Sequence, residues 1–265
     1  MLMNLSTLLY ELTDGVATVT FNRPDVLNAT NDEFYRELSG LIGTMADDPE
    51  VRCVILTGAG RGFCAGADVR GMDPNRPPLS KRKRHRWILS TVLRPLVRLE
   101  KPVIAAVNGV AVGAGMNIAL ACDILLASEV AVFSQIFARM GLVPDLGGLH
   151  LLTRLVGLNK AKELCFTARK ITAAEALHLG IANEVVPPDQ LMTRARALAT
   201  EIAAGPPFAL SMMKTLLNMS STSTLEEMLE FEGYAQSLAY ISGENAEGAL
   251  AFKEKRPPRF AAPPS

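Results

Sequence analysis

The chain has no net charge. Its 265 residues hold 27 Lys and Arg against 27 Asp and Glu, so it exerts no general attraction on nucleic acid or anionic lipid, and any anion site must be local. Cysteine is scarce as well: Cys53, Cys64, Cys122 and Cys165 are widely spaced, form no Cys-x-x-Cys pair and sit in apolar or Gly-rich surroundings. That pattern argues against a disulfide framework or a zinc site and suits reduced thiols in a cytoplasmic protein. His85, His150 and His178 have no metal-ligand spacing, so each reads as structural and no metal site is indicated. The first ten residues lack a basic n-region and a small-residue cleavage pattern, so no secretory signal is expected. Neither a fixed-period repeat nor a low-complexity linker interrupts the chain.

What is present is enough apolar surface for a globular core, with 49% hydrophobic and only 20% charged residues. One run of 21 residues, 102–122, carries no charge and matches a membrane span in length. Asn108, Asn117 and three glycines interrupt it, and Asp123 follows at once, so the run reads as a buried strand, a glycine turn and a buried helix in series.

Residues 16–21 are β-branched and aromatic and end at the turn residues Asn22-Arg23-Pro24-Asp25, which predicts a strand. Thr30-x-x-Glu33 is a capping box ahead of an amphipathic helix over 30–46. A second strand over 51–57 runs into the glycine-rich loop 58–68, and the prolines at 74, 77 and 78 mark a mobile surface segment before a helix over 80–99. A third strand spans 102–107, Asn108-Gly109 turns, and Gly113-Ala114-Gly115 opens a short buried helix to 120. Helices are then expected over 145–156, 158–167, 172–179 behind Thr172-x-x-Glu175, 189–204, 206–219, 224–241 behind Thr224-x-x-Glu227 and 244–254, with a partly frayed, proline-rich tail from 255 to 265.

The plan of strand, glycine turn and helix N-terminus therefore occurs twice. Backbone N–H groups unused by a helix or sheet point outward at such turns, together with the positive end of the helix dipole. Two turns facing one point would hold an oxyanion, with each well-placed donor worth ~3 kcal/mol of barrier for an acyl carbonyl gaining charge. The loop matches neither nucleotide-binding glycine fingerprint, and glycines that merely permit tight turns remain the alternative at either place.

Asn22-Arg23-Pro24 with Leu27-Asn28-Ala29, residues 62–68 (GFCAGAD), residues 101–109 (KPVIAAVNG) and Gly141-Leu142-Val143-Pro144 together resemble the enoyl-CoA hydratase/isomerase (crotonase) superfamily, over about residues 10 to 260. The resemblance implies an α/β crotonase-like superhelix of repeated ββα units. It implies an acyl-CoA-binding core over 1–200 and a C-terminal helical region over 201–265 that builds homotrimers or hexamers made of two trimers. The substrate it implies is an acyl-CoA thioester, with no cofactor beyond the CoA moiety, no nucleic acid and no membrane. It places the oxyanion donors at the backbone N–H of Ala67 and of Ala114, where relatives often carry glycine. Ala65, Gly66, Ala67, Asp68, Val69 and Arg70 would run alongside CoA, and Arg70 or the 81–86 basic cluster would serve its phosphates.

Hydratases of this superfamily use two glutamates. Matching the motifs puts them at Asn117 and Phe137, and neither side chain transfers a proton. What remains is Asp145, which resembles the single aspartate of some isomerases, including the ring-opening epoxide isomerase of phenylacetate degradation, and the nucleophilic aspartate of dehalogenase-like relatives. Set among Met140, Leu142, Val143 and Leu146, its carboxyl is expected to be desolvated and raised in pKa. The competing reading makes Asp145 the N-cap of the helix that follows. Asn117 either orients substrate or water or satisfies a buried backbone group, and Phe137 lines the pocket. The 81–86 run is a solvated helix face, a phosphate contact or an RNA-binding patch.

The favoured function is a double-bond or ring isomerase with Asp145 as the shuttling acid/base. Alternatives are a hydratase, or a thioester hydrolase or dehalogenase, using Asp145 and Asn117, and a non-catalytic acyl-CoA- or RNA-binding scaffold.

Overall fold

Two kinds of strand are interleaved along the chain between residues 8 and 186 in the computed structural model, which describes residues 5–260 except 72 and 74. Position 74 of the expected surface segment and residues 261–265 of the expected tail lie outside the described residues. Long strands β1 (Leu8–Thr13), β2 (Val16–Phe21), β3 (Cys53–Gly58), β5 (Val103–Val107) and β7 (Ile124–Ser128) form one sheet with the three-residue β10 (Glu184–Val186), in the order β1-β2-β3-β5-β7-β10. Short strands β4 (Gly62–Cys64), β6 (Val110–Val112), β8 (Val132–Ser134) and β9 (Ile171–Thr172) form a second, in the order β4-β6-β8-β9. Strands β3, β5 and β7 run parallel, as do β4, β6 and β8. Strands β3, β5 and β7 each turn into a short strand and then into helix or 3-10 turn, so the expected ββα unit repeats along the chain.

Strands β2, β3, β5 and β7 are buried on both faces, and alternate residues serve different cores. Val54, Leu56, Val103, Ala105 and Val107 face the main core, while Cys53, Ile55, Ile104, Ala106 and Leu126 face a second one. Helix α1 (Asp32–Asp47) fills the main core through Phe34, Leu38, Leu41, Ile42 and Met45. Its cap is Asn31, whose side chain accepts from the Phe34 N–H at 2.8 Å, and not the expected Thr30, whose buried hydroxyl pairs with the Tyr35 phenol.

The helix expected over 80–99 starts two residues earlier as α2 (Pro78–Ile88), passes through a π turn at Leu89–Leu93 and ends as α3 (Arg94–Arg98). Pro95 explains the π turn. It has no N–H, and its ring would meet the carbonyl one turn back, so the chain takes up one extra residue and the Arg94 N–H reaches the Leu89 carbonyl. The uncharged 102–122 run resolves into β5, β6 and α4 (Ala114–Leu120). Among the described residues no helix is long and apolar enough to cross a membrane.

The helical half comprises α5 (Gly148–Val156), α6 (Leu158–Thr167), α7 (Ala173–His178), α8 (Leu191–Ala203), α9 (Pro207–Met219), α10 (Leu225–Ile241) and α11 (Glu244–Glu254). The capping box at Thr224 and Glu227 forms as expected. Helix α5 begins three residues later than expected, because Leu146 and Gly147 stand at φ 44° and 73°, in the left-handed region that no α-helix contains. Within the expected tail, Arg256 pairs with Glu247 at 2.7 Å, and the Arg259 N–H donates to the same carboxylate at 2.6 Å. All four cysteines are free, and burial pushes the Cys53 and Cys64 thiols up to about 12, which leaves them inert.

Candidate active site

The two glycine turns meet. A Cβ on Gly66 would stand 2.9 Å from the Val112 carbonyl oxygen and 3.8 Å from the Ala114 nitrogen, so the turn after β4 lies directly against the start of α4. Around it the backbone is accounted for: the Ala65 N–H donates to Leu27, Thr30 to Gly66 and Asp68 to Thr30, all at 2.8 to 2.9 Å. The Ala67 N–H, between them, has no acceptor among the described residues. The same holds for the Ala114 N–H, which as the first residue of α4 precedes any intrahelical carbonyl. Two idle backbone donors on adjoining turns suit an oxygen that gains negative charge.

Residues of the first motif hold this loop. Buried Asn28 donates to the Ala59 and Gly62 carbonyls at 2.9 and 2.7 Å and accepts from the Arg23 N–H. Arg23 in turn pairs with Asp68 at 2.9 Å. Arg70, expected to serve phosphates, binds Asp68 at 2.7 Å, and bonds from Arg70 and then Arg23 hold the Asp68 carboxyl far below the usual carboxylate range. Ala67, Val69 and Arg70 are exposed, Ala65 and Asp68 half-buried, and Gly66 buried.

Asp145 sits in the turn before α5. Its side chain caps nothing: the N-cap is Gly147, and only the Asp145 backbone carbonyl takes part, accepting from the Gly148 N–H at 2.8 Å. One carboxyl oxygen, Oδ1, is enclosed without a hydrogen-bond partner, while Oδ2 lies 3.7 Å from Nδ1 of His85. Burial raises the Asp145 carboxyl above its ordinary range, opposed by His85, by its own backbone N–H and by Arg84. The expected direction of shift is present, but three of its four expected neighbours do not supply it. Met140, Leu142 and Val143 are 52%, 54% and 71% exposed, and only Leu146 is buried.

Asn117 is fully buried on α4. Its Nδ2 donates to the Asp145 carbonyl at 2.8 Å, and its Oδ1 accepts from Gln135 Nε2 at 2.7 Å. Gly148 covers the amide so closely that a Cβ there would fall 2.4 Å from both atoms. Asn117 therefore satisfies a buried backbone group and fixes the Asp145 turn. Phe137 is buried, with its ring 3.7 Å from where a Gly113 Cβ would lie, beside the second turn.

His85 is the neighbour that sequence reasoning missed. It belongs to the basic 81–86 run, whose Arg84 pairs with Asp32 of α1 and lies over the Tyr35 ring. Leu93 packs 3.2 Å from where a Gly147 Cβ would stand, and that contact sets the long helix against the Asp145 turn. No spacing signal marks it. His150, expected inside an apolar helix, is exposed on α5, and His178 is exposed at the end of α7. Among the described residues no cluster of three or more His, Cys, Asp or Glu is placed to hold a metal.

The family model for enoyl-CoA hydratase/isomerase matches residues 11–263. A 1,2-epoxyphenylacetyl-CoA isomerase of Escherichia coli is 40% identical over 248 residues, covering 93% of this chain and 95% of its own. A short-chain-enoyl-CoA hydratase of Clostridium acetobutylicum is 40% identical over 255 residues, covering 96% and 97%. Among solved structures, an enoyl-CoA hydratase/isomerase from Cupriavidus metallidurans superposes with a TM-score of 0.92 at 35% identity, covering 99% of each chain.

Proposed function

The chain belongs to the enoyl-CoA hydratase/isomerase family, and from that premise we propose that it is an acyl-CoA isomerase. Relatives of equal identity are named isomerase and hydratase, so the local chemistry must choose. The observation that carries the reading is the state of Asp145: one oxygen enclosed and unpartnered, the other open, in a turn clamped by Asn117.

In this reading the thioester carbonyl oxygen of an acyl-CoA accepts hydrogen bonds from the Ala67 and Ala114 N–H groups, each worth ~3 kcal/mol as enolate charge builds up. Residues 65–70 line the CoA moiety. The Asp145 carboxylate, made more basic by its desolvated Oδ1, removes a proton from the carbon beside the carbonyl through Oδ2 and returns one at another carbon, so a double bond or an activated ring rearranges. Hydration or thioester hydrolysis would need a water held between Asp145 and Asn117. The Asn117 amide, engaged on both atoms and covered by Gly148, weighs against that. A non-catalytic acyl-CoA- or RNA-binding scaffold would give Asp145 no such setting.

Helix α10 buries no residue, although Leu229, Tyr234, Leu238 and Ile241 lie on it. This supports a homotrimer or hexamer built through the C-terminal helices, which light scattering reads directly.

The experiment on function is turnover of 3-hexenoyl-CoA. Rearrangement to the 2-enoyl thioester, lowered about 10²-fold or more by Asp145→Asn, supports the isomerase. Stoichiometric hydroxyacyl-CoA overturns it, and an Asp145→Asn variant that works as well as the wild type removes Asp145 as the base.

A further inference from the structure

Thr30 opens the capping pattern ahead of α1 yet caps nothing, and its polar groups go to the first glycine turn. Its N–H donates to the Gly66 carbonyl at 2.8 Å and its carbonyl accepts from the Asp68 N–H at 2.9 Å, which makes a parallel β-bridge between Thr30 and Ala67. Such a bridge turns the N–H of Ala67 itself to the opposite side. The Gly66 carbonyl and the Ala67 N–H belong to one planar trans peptide group, so whatever holds the carbonyl aims the N–H the other way. At the second turn a helix does this work: the Gly113 carbonyl, in the peptide group of the Ala114 N–H, accepts from the Asn117 N–H at 3.0 Å. Ala67 lies in no helix. Its peptide group has Thr30, whose Oγ1 makes a longer contact of 3.4 Å with the Gly66 oxygen and pairs with the Tyr35 phenol at 3.0 Å. Thr30 and Tyr35 are both buried, and burial keeps the phenol protonated. Among the described residues the phenol has no other hydrogen-bond partner.

We propose that the Thr30 hydroxyl is the positioning group of the first oxyanion donor, holding the Gly66–Ala67 peptide group so that the Ala67 N–H meets the thioester oxygen. The proposal rests on the reading above in which that N–H binds that oxygen. Tyr35 fixes the side chain of Thr30 from the α1 side, and the N–H and hydroxyl of Thr30 then approach one carbonyl oxygen. Donors on a carbonyl also polarise its peptide group, so the N–H at the other end becomes a stronger donor. Thr30 acts through Ala67 and is no catalytic residue itself. Its contribution grows with the negative charge on the thioester oxygen, so it is expressed in kcat more than in KM.

The test is the infrared carbonyl stretch of hexanoyl-CoA labelled with 13C at the thioester carbon, a probe with no double bond to move, read beside turnover of 3-hexenoyl-CoA. Hydrogen bonds to the thioester oxygen lower the stretch on binding, and the wild type is expected to show that shift. The double variant Thr30→Val with Tyr35→Phe removes both hydroxyls and leaves apolar groups of similar shape, so it is expected to fold with a Tm near that of the wild type. Its carbonyl shift should be clearly smaller and its kcat about tenfold lower, with KM within about twofold. Thr30→Val alone carries the same readings if the double variant does not fold, and Thr30→Ser, which keeps the hydroxyl, is expected to restore both shift and kcat. A wild-type shift and kcat in the valine variants overturn the proposal. So does a fall in kcat with an undiminished shift, and so does a serine variant as impaired as valine. Ala114→Pro separates the two readings. If it diminishes the shift while the Thr30 variants leave it whole, the paired donors stand and only the role of Thr30 falls. If hexanoyl-CoA binds the wild type without any shift, the oxyanion reading fails, and the role of Thr30 with it.

Discussion

Nδ2 of Asn117 donates to the backbone carbonyl of Asp145 across 2.8 Å, so a side chain on α4 holds the turn that presents the carboxylate. The helix that offers the Ala114 N–H therefore also fixes the position of Asp145. In the proposed isomerase both halves of the site are thereby referred to one short, buried helix, as proton transfer and oxyanion binding at neighbouring atoms would require.

Breaking that bond should cost stability and activity together. Asn117→Ala leaves the buried Gln135 Nε2 without its acceptor and the half-buried Asp145 carbonyl with one donor fewer. A loss of about 1–3 kcal/mol follows for unsatisfied buried groups, read as a lower urea midpoint, together with a fall in kcat as the turn loosens. Asn117→Asp keeps an acceptor for Gln135 but loses the donor and buries a carboxyl, so it is expected to be at least as destabilised. Wild-type midpoint and turnover in Asn117→Ala would leave the clamp without a role.

The Ala114 donor can be removed with little disturbance to the fold. Ala114 is the first residue of α4, after the N-cap Gly113, and proline is well tolerated at that helix position because its missing N–H has no intrahelical partner. Ala114→Pro should fold with a Tm near that of the wild type and lose about 10²-fold or more in kcat, the cost of one oxyanion donor. Circular dichroism and steady-state kinetics on 3-hexenoyl-CoA read the two effects. Unchanged kcat in a folded variant would remove Ala114 from the site.

The parts legible in the sequence are those whose signal is continuous. The runs at 16–21, 51–57 and 102–107 are dense enough in β-branched and apolar residues to appear as strands, and Thr224 and Glu227 announce their helix by capping chemistry alone. Strands β4, β6 and β8 are three residues each, too short to show a period, and only their parallel partners make them strands. The helix over 80–99 was expected without a break, and the π turn ahead of Pro95 depends on the helix continuing past that proline. Leu146 at φ 44° carries no residue-type signal, which is why α5 was expected to begin too early and Asp145 to be a possible cap. Ala67 and Ala114 were reached through ordered motifs. Asn117 was found by position, yet its task depends on a carbonyl 28 residues away, and His85 on the packing of Leu93 against Gly147. Such pairings are tertiary, and no local pattern encodes them.

Asp145 should also make the wild type less stable than its amide variant at neutral pH. Burial raises its native-state pKa above that of the unfolded chain, with His85, the Asp145 N–H and Arg84 offsetting only part of the effect. The native state therefore holds this proton more tightly than the unfolded state does. The associated stability is fully present below the unfolded value of about 3.9 and is lost as pH rises through the native pKa. At pH 7 the wild type carries the cost of a desolvated carboxylate, which Asp145→Asn removes. Its Tm is expected to exceed the wild-type value at pH 7, and the difference should close by roughly pH 3, where both side chains are neutral. Activity should move the other way, as expected where a functional group is kept at the expense of stability. Thermal unfolding from pH 3 to pH 8 decides it: a variant less stable than the wild type at pH 7 would mean that attraction from His85 and Arg84 outweighs burial.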